Sequence, residues 1–163
     1  MKYFLLGLIS TCLIQSCQNE SNDDRPFIAH NEELIKTYFN KAWNAGEVDI
    51  LDSILDNDYI NHTPSTKTGV HDRKELKTII QSFRKAFPDL HFSIEDIIAT
   101  NNRVVARVRM TGTHKDSLFG LPPTGKTVSV NQINIEQIEN GRFTEHWRVT
   151  DELELMKQLG FVQ

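Results

Sequence analysis

The strongest constraint on the fold is a change of hydrophobic period at Pro88. Before it, apolar residues recur every three or four positions; after it they recur every second one. These are the spacings of a helix face and of a strand face. Upstream, Leu34, Ile35, Tyr38, Phe39, Ala42 and Trp43 form one stripe and predict a helix over residues 31–45, stopped by Gly46. A shorter helix is expected over 48–55, and residues 57–64 break the helical pattern as a short strand or a loop. Asp72 and Glu75 have the spacing of a capping box ahead of Leu76, Ile79, Ile80, Phe83 and Phe87.

Downstream, Leu90, Phe92 and Ile94 alternate with polar neighbours, as do Val104, Ala106, Val108 and Met110. A loop over 115–126 carries Leu121-Pro122-Pro123-Thr124-Gly125, and Val128, Val130, Ile133 and Ile135 mark a long strand. That strand closes at Asn140-Gly141, the dipeptide most characteristic of a tight hairpin. A last strand to about Val149 and a helix from Asp151 stopped by Gly160 complete the chain. Helices first, then about four antiparallel strands, then one helix define an α+β domain, and strands this long coil over the helices to leave a cavity.

The first residues follow another logic. Lys2 precedes an apolar run of about a dozen residues, shorter than the ~20 of a spanning helix, which predicts an export signal in preference to a buried N-terminal helix. Leu13-Ile14-Gln15-Ser16-Cys17 resembles the bacterial lipobox, which implies lipidation at Cys17, a membrane anchor and an exported, periplasmic or cell-surface protein. Residues 1–16 are then signal peptide, 17–29 a flexible polar tether and 30–163 the folded domain. Removal of the signal takes Cys12 with it, leaving no thiol for a disulfide or for nucleophilic catalysis. A net charge of -4 with scattered Lys and Arg argues against a nucleic-acid partner.

Chemistry-bearing residues concentrate in the last hairpin. If Arg148 faces a pocket, His146 shares its face and Trp147 faces away. Arg148 is either an anchor for an anionic group or the partner of Asp151 or a nearby glutamate. His146 is either a proton-transfer group or a hydrogen-bonded wall, and Asp151 either a second such group or the cap of the last helix. Gln132 and Asn134 are polar where Ile133 and Ile135 are apolar, and are expected to look into the cavity or toward a dimer partner. Trp43 and Tyr59 are expected as core or pocket wall, and His62 at the pocket mouth. Arg103, Arg107 and Arg109 predict a solvated or dimer-facing surface, balanced by a strand such as the one carrying Glu136. A pairing of His62 with His146 on a metal has no supporting motif such as His-Glu-x-x-His, and no metal or other cofactor is expected.

Phe87-Pro88-Asp89-Leu90, Met110-Thr111-Gly112-Thr113-His114, Leu121 to Lys126, Ile138-Glu139-Asn140-Gly141-Arg142 and Glu145-His146-Trp147, in this order, resemble the SnoaL-like polyketide or ester cyclase family. Ala42-Trp43-Asn44 and Tyr59-Ile60-Asn61-His62 extend the resemblance over about residues 32–159. It implies a nuclear transport factor 2-like cone, usually dimeric, with a small-molecule pocket at its open end. It also implies a carboxylate on the last strand as acid/base, at the position held here by Arg148, and a histidine on the neighbouring strand, at the position of Asn134. Arginine keeps its proton at neutral pH and asparagine cannot shuttle one. The expectation is therefore a pocket that binds a small hydrophobic carbonyl or anionic molecule; an ester cyclase or isomerase working through His146 or Asp151 is the alternative. A cavity filled by bulky side chains would instead mark a purely structural dimer.

Overall fold

A computed structural model describes residues 24–63 and 72–163. Cys12, Cys17, the signal segment and most of the tether lie outside the described residues.

Helix α1, Arg25–Thr37, begins six residues earlier than the apolar stripe predicts, with Pro26 in its first turn, where a missing N–H costs nothing. It continues as a π-helical segment, Tyr38–Ala45, ended by Gly46 in the left-handed conformation. The wider turn matters for the interior: bonding to the fifth residue brings positions five apart toward one face. Tyr38 and Trp43 are such a pair, and their rings meet edge to face at 6.4 Å. Asn44 then ties this segment to the sheet, donating to the Phe92 carbonyl at 2.9 Å and accepting from the Phe92 N–H at 2.7 Å.

The expected second helix is a 3-10 turn, Val48–Ile50, running into α2, Leu51–Ile54. Leu55 already belongs to β1, Leu55–Asn61. In α3, Arg73–Ala86, the Asp72 carboxylate accepts from the Glu75 N–H at 2.8 Å, as the cap spacing requires. Strands β2 (His91–Ala99), β3 (Arg103–Thr113), β4 (Thr127–Glu139) and β5 (Arg142–Thr150) follow, then α4, Glu152–Leu159. The four consecutive strands are antiparallel, and β1 adds a fifth at the edge, parallel to β5, giving the order β1-β5-β4-β3-β2. At the β4–β5 turn, Asn140 and Gly141 both take positive φ, 50° and 73°, the pair of angles a type I′ turn demands.

Two details of this sheet position the site. In β4 the apolar set changes side: Val128 and Val130 are buried, but farther along Gln132, Asn134 and Glu136 point inward while Ile133 is 47% exposed. Continuous pairing with β3 from Arg103↔Gln137 to Thr113↔Thr127 shows that no register slip causes this. In β5, partners shift between Gln137↔Glu145 and Ile138↔Phe143, so Thr144 is an extra residue. This bulge lets both Phe143 and His146 face inward although they are three apart. Phe143 plugs the closed end of the cone against Tyr38.

Candidate functional site

The register of β4 and β5 sets inward side chains directly opposite one another: Gln132 across from Thr150, Asn134 from Arg148 and Glu136 from His146. Together with Tyr38, Trp43, Asn61, Leu76 and Ile79, four of these (Gln132, Asn134, His146, Arg148) line a chamber between sheet and helices with only about 10 Å³ of free room. A second, wider chamber of about 290 Å³ shares Gln132 and Arg148 with the first. Its walls are mainly apolar: Phe83, Met110, Leu118, Phe119, Leu121, Leu155 and Met156, with Thr150 and Glu152 at the side. The site is thus an apolar vestibule lying beside a small polar chamber, with Arg148 and Gln132 lining both. Phe119, with φ of 47°, holds a conformation uncommon for a bulky residue. The reciprocal Leu118–Leu121 backbone bonds keep it there.

At the polar chamber His146 and Glu136 form a closed pair. His146 Nδ1 lies 2.7 Å from Glu136 Oε1, and the side chains are 3% and 1% exposed. Burial pushes the Glu136 carboxyl above its ordinary range, and the imidazole beside it opposes that shift. Burial likewise pushes both the Tyr38 and Tyr59 hydroxyls up, so they are neutral and able to donate hydrogen bonds at neutral pH. Arg148 is lowered by burial, with Tyr38, Glu152 and Tyr59 acting the other way; the guanidinium stays charged. Asn134, 2% exposed, has an Nδ2 donor with no hydrogen-bond partner. Trp43 Nε1 lies near the Tyr38 hydroxyl but outside hydrogen-bonding geometry.

Of the residues singled out from the sequence, His146, Arg148, Gln132, Asn134 and Trp43 converge on the inner chamber. Tyr59 is buried behind it, where its hydroxyl senses Tyr38 and Arg148. Two expectations are corrected. His62 lines neither of these two chambers: it follows the last residue of β1, meets Glu145 at 2.6 Å, stacks on Trp147 and borders a separate groove with Ile133, Ile135 and Arg148. Asp151 is exposed, and its carboxylate accepts from the Glu154 N–H at 3.0 Å; it caps α4 and lines neither chamber. Nor does Glu136 balance the arginines of β3. Arg107 and Arg109 both bind Glu95 on the outer face, at 2.9 and 2.8 Å, and Arg103 binds Gln137 and lies over Trp147.

Residues the sequence reading left out are Tyr38, Asn61 and Glu136. Period two carried one step past Gln132 and Asn134 reaches Glu136, and the same step past Tyr59 reaches Asn61. No group of three or more His, Cys, Asp or Glu able to hold a metal occurs among the described residues.

A five-stranded curved sheet closed over N-terminal helices, with a pocket inside the cone, defines the nuclear transport factor 2-like α+β fold. The profile of the SnoaL-like polyketide cyclases matches residues 33–159, and the chain belongs to that family. It is 28% identical over 123 residues to the nogalonic acid methyl ester cyclase of Streptomyces nogalater, covering 73% of this chain and 90% of that one. With the aklanonic acid methyl ester cyclase DnrD of Streptomyces peucetius it shares 26% over 127 residues, 74% of this chain and 84% of the relative. Among solved structures, TsrD from Streptomyces laurentii superposes with a TM-score of 0.75 at 28% identity, covering 82% of this chain and 97% of TsrD.

Proposed function

We propose that the domain binds a small hydrophobic carbonyl or anionic molecule, its apolar body in the vestibule and its polar head at Arg148, Gln132 and Asn134. The observation that carries this reading is that Arg148 and Gln132 line both an apolar chamber of about 290 Å³ and the small polar one. This is the usual division of labour in a ligand site, apolar walls for affinity and a few polar groups for orientation. A thermal-shift screen of ketones and carboxylic acids of graded size tests it. Compounds that stabilise the protein should lose that effect in Arg148→Leu; stabilisation unchanged by this substitution places the ligand elsewhere.

A second reading, an ester cyclase or isomerase type of proton transfer, is favoured by the buried Glu136–His146 bond. A carboxylate on Nδ1 directs the other imidazole nitrogen to the chamber, an arrangement suited to a general base. Asp151 has no part in it. Exchange of α-hydrogens of 2-octanone in deuterated water, followed by mass spectrometry, tests this reading, and His146→Ala should abolish the exchange.

Lipid anchoring through Cys17 and export belong to the same proposal; loss of membrane partitioning in Cys17→Ala tests them. So does a homodimer formed through the outer sheet face, where Ile98, Ile133 and Val149 are 64%, 47% and 73% exposed. Sedimentation of Ile133→Lys against the parent protein tests the dimer.

A further inference from the structure

One wall of the vestibule is a turn whose residues run against local preference. Leu118 and Leu121 exchange backbone bonds of 3.1 and 2.8 Å, and the two residues between them, Phe119 and Gly120, take φ of 47° and 88°. Two positive φ values in succession mark a type I′ turn, whose first central position is ordinarily Asn, Asp or Gly. Here that position carries a phenylalanine that is 54% exposed. Neither backbone preference nor burial accounts for a large ring there, and an outlier of this kind is a reason to ask what the ring does.

The ring stands between two spaces. One is the vestibule of about 290 Å³. The other is a groove of about 340 Å³ along α3, lined among the described residues by Thr78, Ile79 and Ser82, with Asp72, Lys74 and Glu75 toward the start of the helix. Phe119 is the one described residue that lines both. Its ring meets that of Phe83, a vestibule wall contributed by α3, edge to face at 5.6 Å. The turn thus lays an aromatic ring against the helix at the place where the two spaces come together.

We propose that Phe119 determines specificity for ligand length: the apolar body held in the vestibule ends at this ring, and the groove along α3 is the space a longer ligand needs. This deepens the pocket reading given above and rests on it. The ligand it selects is a carbonyl compound whose apolar body is short enough to stop at the ring. Removing the ring joins vestibule and groove and admits longer molecules of the same class; enlarging it shortens the limit. Each methylene that finds an apolar wall tightens binding by about fourfold, whereas one stopped by the ring adds nothing, so the limit is readable in a homologous series.

The test is calorimetric titration of the full chain with alkan-2-ones lengthened one carbon at a time from 2-hexanone, with circular dichroism confirming the fold of each variant. For the parent protein, affinity rises with each carbon to a limiting length and then levels. Phe119→Gly removes the ring and leaves a residue at ease with positive φ. It moves the limit outward by at least about two carbons, so a ketone of that greater length binds about 16-fold tighter or more than to the parent protein. Phe119→Asn, which also tolerates this backbone, gives the same outward shift, and Phe119→Trp moves the limit inward. A limit unchanged in Phe119→Gly and Phe119→Asn overturns the inference and leaves the pocket reading standing. So does affinity that climbs through the whole series in the parent protein, since no wall then stops the chain. Binding of none of the ketones by the folded parent protein removes the pocket reading and this inference together.

Discussion

Replacing Glu136 and His146 by leucine, singly and together, distinguishes a pair kept for chemistry from one kept for stability. The two side chains are 1% and 3% exposed and joined at 2.7 Å, so each is the other's compensation for leaving water. His146→Leu strands a buried carboxyl whose affinity for protons burial already raises; the cost of removing one partner of such a pair is about 3–5 kcal/mol. Glu136→Leu leaves an imidazole donor unpaired, about 1–3 kcal/mol. If the effects were independent, the double variant would lose about 4–8 kcal/mol, by adding these two ranges. With both polar groups gone neither is stranded, and replacement of a buried pair by apolar residues is often close to neutral, so the double variant is expected within ~1 kcal/mol of the parent protein. Urea unfolding followed by tryptophan fluorescence measures all four corners, and Trp43 on the chamber wall reports directly. A coupling energy below about 0.5 kcal/mol, the range of independent sites, would refute the argument that the pair is closed and mutually dependent.

Three further outcomes follow from local structure. His114 is fully buried and stacked on Phe87, and desolvation lowers its proton affinity from an ordinary pKa near 6.5. The unfolded chain therefore takes up a proton the folded one resists, so stability falls as pH drops below about 6.5; His114→Phe should flatten this slope in urea midpoints compared at pH 7.5 and 5.5. Phe143→Ala should cost about 3–5 kcal/mol in the same assay, because the ring is wholly buried against Tyr38 at the closed end of the cone. Asp151→Ala should lose about 1 kcal/mol of stability and Asp151→Asn, which still caps, much less; neither should alter ligand binding measured by thermal shift.

The fold was legible because each element carries its period in its own residues. The helix stripes, the Asp72 cap and the Asn140-Gly141 turn are local signals, and the structure keeps all of them. Pairing of β1 with β5 was not legible, since its residues lie about 85 positions from their partners and no local pattern announces a parallel edge. Residues 25–29 of α1 carry little apolar periodicity and read as tether. Within the site, alternation placed Gln132, Asn134, His146 and Arg148 correctly because β4 and β5 are regular there. It misplaced Glu136 because an acidic residue among strand arginines is first read as their counter-charge. The actual counter-charge, Glu95, stands beside a pairing irregularity in β2 that shifts which side chains face Arg107 and Arg109.

The far half of β4 departs from ordinary strand patterning in a way packing alone does not account for. With Ile133 outward and Gln132, Asn134 and Glu136 inward, a one-residue slip would bury the isoleucines and expose the polar set, the arrangement burial energy favours. The slip does not occur because the near half of the strand, through Val128 and Val130, is already buried in the opposite phase, and no bulge separates the halves against β3. The polar row is held inside by the rest of the strand. Such a row persists where its members are satisfied by one another or by what enters the chamber. Glu136 has His146, whereas Asn134 keeps an unpartnered donor, so the unmet demand of this strand lies at the chamber beside the apolar vestibule.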